Sequence, residues 1–168
     1  LGELVKQGKV RQIGLSNETP WGTMKYLELS ETKSLPRVAS IQNAYNLVNR
    51  GFEIGLSEIA MQEQVGLLAY SPLAQGTLTG KYLNGQMPQG SRLALFGDTP
   101  LMMRYKGDKT QKAIEMYVEV AKKFEIDPTQ LAIQFCNIQP FVTSNIIGAT
   151  TMEQLKICID SIHLDINK

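Results

Sequence analysis

Apolar residues along the chain come in short bursts of two kinds, and the two kinds alternate. Leu1, Leu4 and Val5 fall at helical spacing before Gly8, a residue suited to ending a helix, so residues 1–7 read as a helix tail. Residues 10–15 follow as a strand that stops at Ser16 and Asn17. Thr19 then offers a capping hydroxyl with Pro20 at the first helical position, and Trp21, Met24 and Leu27 mark the expected inward face of a second helix. A strand at residues 38–42 runs into the polar stretch 43–50. Ile54, Ile59 and Ala60 support a third helix, closed near Gly66. Residues 67–70 are apolar without alternation, the pattern of a strand buried on both faces of a parallel sheet, and Pro72 stops it.

Past that point the pattern loosens. Residues 85–109 carry Gly, Pro, Gln and Asp around apolar runs at 93–96 and 101–103, with Met102 and Met103 as candidate packing residues; so long an irregular stretch reads as a lid, partly disordered. Ala113, Met116, Tyr117, Val120, Ala121 and Phe124 then mark an amphipathic helix. Asp127, Pro128 and Gln130 open another with a capping box and a first-position proline, Leu131, Ala132 and Phe135 facing inward. Residues 145–148 read as a short strand. Thr151 and Gln154 form a second capping box, for a helix that buries Leu155, Ile159 and Ile162. Four strand-then-helix units argue for an α/β fold with a parallel sheet, either doubly wound or half of an eight-unit barrel.

The composition adds bounds. A chain of 168 residues that is 43% hydrophobic supports one core and one domain over residues 1–168. Seventeen basic and sixteen acidic residues leave a net charge of +1 without like-charged runs, so no electrostatic footprint for nucleic acid or a membrane surface exists. No window approaches the ~18 apolar residues of a membrane span, and the amino end lacks a signal-peptide pattern. A soluble, cytoplasmic setting is the expectation. Cys136 and Cys158 have no metal-ligand spacing and read as reduced, buried thiols. The chain opens on Leu1 in what reads as mid-helix, and so looks cut from something longer.

Candidate chemistry collects after the strands. The richest cluster is Ser71, Gln75, Gly76, Thr77, Thr79, Gly80 and Lys81, at the carboxyl end of the 67–70 strand, where parallel α/β folds bind ligands. Glycines, backbone amides and a lysine suit a phosphate. Ser-Pro and Gly-Thr dipeptides also mark ordinary loops, so residue chemistry leaves a nucleotide lip and a plain loop both open. Tyr45 and Arg50 either line a pocket or lie in a solvent-exposed loop. Trp21 is expected in the core or at its rim, and His163, the only histidine, at a helix end.

Four motifs in register narrow the choice: Gly14-Leu15-Ser16-Asn17, then Ile-Gln-Asn-Ala-Tyr-Asn at 41–46, Tyr-Ser-Pro-Leu-Ala-Gln-Gly-Thr-Leu-Thr-Gly-Lys at 70–81, and Ile-Gly-Ala-Thr-Thr-Met-Glu-Gln at 147–154. Together they resemble the carboxyl-terminal half of the aldo-keto reductase superfamily, nearest the branch with the potassium-channel β subunits and their bacterial and plant relatives. The resemblance implies a parallel (β/α)8 TIM barrel to which this chain contributes about the last four βα units, the amino-terminal half of the same barrel being its partner. It implies NADP(H)-dependent reduction of aldehydes or ketones, with the small-molecule carbonyl as the other partner and an oligomer as an option. Ser16, Asn17 and Gln42 would hold the nicotinamide carboxamide, and Tyr70 would stack on the ring. Ser71, Leu73, Gln75, Gly76 and Lys81 would wrap the pyrophosphate and ribose; Gly148, Thr150 and Gln154 would meet the adenosine end. Thr150 stands where many members have an arginine, and Ile157 with Cys158 where they have Glu and Asn, which alters the adenosine contacts. No catalytic residue is assigned: the family's tyrosine, lysine, aspartate and histidine lie on the first half. The alternatives are a nucleotide-sensing regulatory subunit of the channel-β kind and a non-catalytic half-barrel.

Overall fold

In the computed structural model, residues 1–97 and 99–166 are described. A short helix α1 (Gly2–Lys6) leads into β1 (Ile13–Ser16), and α2 (Pro20–Thr32), β2 (Val38–Ala44), α3 (Leu56–Gln62) and β3 (Gly66–Tyr70) follow. After β3 come two short helices, α4 (Arg92–Phe96) and α5 (Pro100–Met103), then the longer α6 (Asp108–Lys123) and α7 (Pro128–Asn137), β4 (Val142–Ile146) and α8 (Met152–Asp160). The four strands form one sheet in the order β1-β2-β3-β4, every pair parallel. A doubly wound sheet reverses its strand order at a switch point; this one does not, and the steady βα progression is that of part of a (β/α)8 barrel.

The two faces of the sheet differ. Ile13, Leu15, Val38, Ile41, Leu67, Ala69 and Val142 point to one side and join Leu27, Leu56, Ala60, Cys136 and Phe141 in the main core. Ser16, Gln42, Leu68 and Ser144, paired in register across all four strands, share the other side. Residues 67–70 are therefore not buried on both faces: Leu67 and Ala69 are, whereas Leu68 and Tyr70 are half-buried. The second side is the one a closed barrel turns inward.

Several expected boundaries and faces shift, each for a visible reason. β1 starts at Ile13 rather than residue 10, because the amides of Lys9 and Val10 both return to the Leu4 carbonyl. β4 runs from Val142, which pairs with Leu67, and stops at Ile146, the partner of the last β3 residue Tyr70; residues 147–148 fall outside it. Gly55, at φ 87°, starts α3 and leaves Ile54 80% exposed. In α2 the buried residues are Gly22, Thr23, Leu27 and Ser30, so Trp21 is 77% exposed and Met24 is also exposed. In α6 the inward side is Ile114, Tyr117, Val118 and Ala121, with Met116, Val120 and Phe124 exposed. α7 buries Ala132, Ile133 and Cys136, and α8 buries Cys158 while Ile159 and Ile162 are exposed. Asp127 caps α7 through the Thr129 amide, without a reciprocal bond to Gln130.

Tyr45 is neither of the things expected of it, whereas Arg50 is an exposed loop residue, one of the two expectations for it. Tyr45 is wholly buried between Phe135 and Phe141, and its hydroxyl donates to Glu53 Oε1 at 2.6 Å. Arg50 lies outside, paired bidentately with the same carboxylate at 2.7 and 2.8 Å. The segment after β3 carries two short helices that its composition does not suggest. Met102 and Tyr105 are buried, and Tyr105 joins Ala74, Leu78, Ile114 and Ala132 in a second core that fastens the segment to α6 and α7. Asp98 and the side chain of Leu101 lie outside the described residues.

Candidate functional site

The candidate residues lie toward the carboxyl ends of the strands or in the segments that follow them. Ser16 closes β1 and pairs in register with Gln42; Asn17 follows in a left-handed turn, φ 53°, a conformation asparagine tolerates better than most residues. The Asn17 amide N–H donates to the Gln42 carbonyl at 2.9 Å, and its Nδ2 donates to Ser16 Oγ at 3.2 Å. Two strands away, Tyr70 closes β3, and its hydroxyl donates to Asn17 Oδ1 at 2.8 Å. That bond spans the end of β2, so Ser16, Asn17, Gln42 and Tyr70 form one cluster.

Beyond Tyr70 the backbone turns in conformations L-residues rarely adopt: Ser71, Ala74 and Gln75 all have positive φ, and Gly76 stands at 93°. Such a run persists only when its surroundings fix it. Here Asn46 Nδ2 donates to the Ser71 carbonyl, Gln75 Nε2 donates to Ser71 Oγ, each at 2.9 Å, and Leu73 packs on the second core. Lys81 folds back over the bare Gly76 backbone. A Cβ there would stand 3.1 Å from Lys81 Cε and 3.2 Å from Nζ. None of the ion pairs among the described residues uses Lys81.

Gly148, Thr150 and Gln154 form a separate group past β4, at the amino end of α8. Nothing stands near the Cβ direction of Gly148. Thr151 Oγ1 caps the Gln154 amide, but Gln154 Oε1 accepts from the Thr150 amide and hydroxyl, at 3.0 and 3.1 Å, so the reciprocal arm reaches one residue further out than a capping box. Ile157 is half-buried and Cys158 buried. His163 is exposed in the turn Ser161–His163.

The sequence alone assigned no role to Arg104, Tyr105 or Asn46, and all three belong to the first cluster. A cavity of about 280 Å³ opens among Asn17, Asn43, Asn49, Gly51, Tyr70 and Arg104. Asn43, one of its lining residues, also has a buried Oδ1 without a hydrogen-bond partner. The Arg104 guanidinium lies by the hydroxyls of Tyr70 and Tyr105, whose hydrogen bonding holds it above the ordinary arginine pKa. Asn46 Nδ2 also reaches Tyr105 Oη, at 3.2 Å. A local signal for Arg104 existed: Thr99-Pro100 repeats the Thr19-Pro20 start, and Thr99 Oγ1 caps the Met102 amide of a single-turn helix that ends at this arginine. A larger hollow, about 420 Å³, lies at the opposite ends of the strands between Met61, Gln64, Pro140 and Thr143, and has no ionisable lining. Among the described residues no group of His, Cys, Asp and Glu could hold a metal, and no helix is long and apolar enough to cross a membrane.

The sequence matches the Aldo/keto reductase family over residues 1–168. It is 51% identical over 168 residues to "Protein tas" of Escherichia coli (strain K12), a match covering all of this chain and 48% of that protein. Over 162 residues it is 35% identical to "L-glyceraldehyde 3-phosphate reductase" of the same organism, covering 93% of this chain and 45% of the relative. A "Probable voltage-gated potassium channel subunit beta" of Oryza sativa subsp. japonica is 34% identical over 144 residues, 80% of this chain and 44% of its own length. The chain thus spans about half the length of the curated relatives it matches. With a family match along its whole length, on a parallel βα sheet, the chain belongs to the aldo/keto reductase family of oxidoreductases.

Proposed function

We propose that this chain is the nucleotide-binding, carboxyl-terminal half of an NADP(H)-dependent reductase barrel that converts aldehydes or ketones to alcohols in the cytoplasm. The observation that carries the reading is the Tyr70–Asn17 hydrogen bond, which locks an aromatic ring beside two amides and a hydroxyl at the strand ends. The residues fit the group. A carboxamide needs donors and acceptors together, which Asn17 and Gln42 supply, and a flat ring needs a fixed flat neighbour, which Tyr70 supplies. The Gly76 cradle, with Lys81 Nζ against bare backbone, suits the pyrophosphate. Gly148, Thr150 and Gln154, at a helix amino end, suit the adenosine phosphate.

When bound, the reduced nicotinamide supplies a hydride to the carbonyl carbon, and the oxygen takes a proton from an acid on the partner half of the barrel. What this chain does is bind and orient. Tyr70 holds one ring face, Asn17 and Gln42 set the rotation of the carboxamide, and Lys81 balances phosphate charge. A regulatory, nucleotide-sensing subunit is the second reading, favoured by the apolar Met87, Leu95 and Phe96, each about 60% exposed on the segment after β3. Fluorescence titration of the intact protein with NADPH and NADH, followed by aldehyde-dependent NADPH oxidation, tests both. Tight NADPH binding with turnover supports the reductase, binding without turnover supports the sensor, and absence of binding overturns both.

A further inference from the structure

We propose that Arg104 recognises an anionic group on the substrate, so that the carbonyl compounds taken by this site carry an acid group, a carboxylate or a phosphate. The inference rests on the reductase reading above and names its substrate class.

The cavity that Arg104 lines also touches Asn17 and Tyr70, so a molecule held there lies beside the ring-binding cluster. Its described lining has one charge, that of Arg104, and no carboxylate. The nearby acid, Glu53, is already committed to Arg50 and Tyr45. Arg104 takes part in none of the ion pairs among the described residues; the side chains it interacts with are Tyr70 and Tyr105. A guanidinium presents a fork of donors that matches paired anionic oxygens. At about 280 Å³ the space suits a compact molecule of this kind.

Calorimetric titration of the intact protein with 4-(hydroxymethyl)benzoate, its methyl ester and 4-(hydroxymethyl)phenyl phosphate, with and without NADPH, tests the proposal on the wild type, Arg104→Gln and Arg104→Lys. In the wild type an anion should bind about 10- to 100-fold more tightly than the ester, the usual worth of charge-assisted hydrogen bonds. Arg104→Gln should erase that preference and Arg104→Lys should keep part of it. The tighter of the two anions names the acid group. Equal or undetectable binding of anion and ester in the wild type overturns the proposal, as does a preference that survives in Arg104→Gln. An Arg104→Gln protein that loses NADPH as strongly as the anion would assign Arg104 to the cofactor phosphates instead. Failure of NADPH to bind any form removes the reductase reading, while the titrations without NADPH still judge Arg104.

Discussion

Asn46 Nδ2 sits 2.9 Å from the Ser71 carbonyl oxygen, joining two residues 25 positions apart, one wholly buried and the other in a left-handed turn. The same amide group reaches Tyr105 Oη, and Asn46 Oδ1 accepts from the Val48 amide. One side chain therefore ties together the loop after β2, the turn after β3 and the segment that carries Arg104. The positive φ of Ser71 is held by this tie rather than by local preference.

Replacing Asn46 by Ala removes partners from three groups at once. An unsatisfied buried polar group costs about 1–3 kcal/mol, and with partial relaxation the loss should be about 3 kcal/mol. Urea unfolding should show a lower midpoint at constant slope. A loss under about 1 kcal/mol would mean that water replaces the amide and that the turn does not depend on it.

Tyr70 separates ring from hydroxyl. Tyr70→Phe keeps the flat face and loses the hydroxyl's bond to Asn17 and its contact with Arg104, a net 0.5–1.5 kcal/mol for a typical hydrogen bond, so NADPH affinity should fall about 3- to 10-fold. Tyr70→Ala removes the face as well and should fall further, with little change in melting temperature because the ring is half-exposed. Equal losses in the two variants would place the binding role on the hydroxyl.

The order of elements was legible where helices open on capping signals: Thr19-Pro20, Asp127-Pro128 and Thr151 all cap helices as read, whereas α3 opens on Gly55 without one. The strand-end placement of Ser16, Asn17, Gln42 and Tyr70 was legible for the same reason. Helix phase was not. In α6 two apolar stripes overlap, sharing Tyr117 and Ala121, and only packing against Ala132 and Leu78 selects the one with Ile114 and Val118. Tyr45 looked like a loop residue because its neighbours are polar, yet its ring fills the space between Phe135 and Phe141 from elements about 90 residues later. Contacts of that kind leave no local trace.

The Glu53 carboxylate supplies a pH test. Hydrogen bonds from Arg50, with a further one from Tyr45, hold its pKa below the ordinary carboxylate value. A depressed folded pKa contributes stability above the unfolded pKa of about 4.3 and loses it as pH falls through the folded value. Wild type should therefore exceed Glu53→Gln in melting temperature by a constant margin above about pH 5, and the margin should shrink below about pH 4. No margin at any pH would show that the bond to Tyr45, which glutamine can also accept, carries the whole contribution of Glu53.

Burial pushes the Cys136 thiol up to about 12, and burial also raises Cys158, with the Asp127 charge adding to it. The thiolate is the reactive form, so neither should titrate with a disulfide reagent in the native protein near neutral pH. Both should react in denaturant. Rapid native reaction of either cysteine would show local opening of α7 or α8, where the two reside.

Gly76 and Lys81 separate backbone shape from charge. Lys81→Ala should leave folding intact and weaken NADPH about tenfold at low salt, an effect that shrinks as salt screens a partly exposed cation. Gly76→Ala meets two obstacles: its φ of 93°, and a Cβ that would press on the Lys81 Cε and Nζ. The first should cost about 1–2 kcal/mol of stability whatever the ligand, since left-handed backbone is strained for an L-residue. The second displaces the ammonium, so NADPH affinity should fall as well. In the double variant the affinity loss should be less than the sum of the single losses, because the cation that Gly76→Ala displaces is already gone. Additive losses would mean that the bare Gly76 backbone, rather than Lys81, is what the phosphates meet.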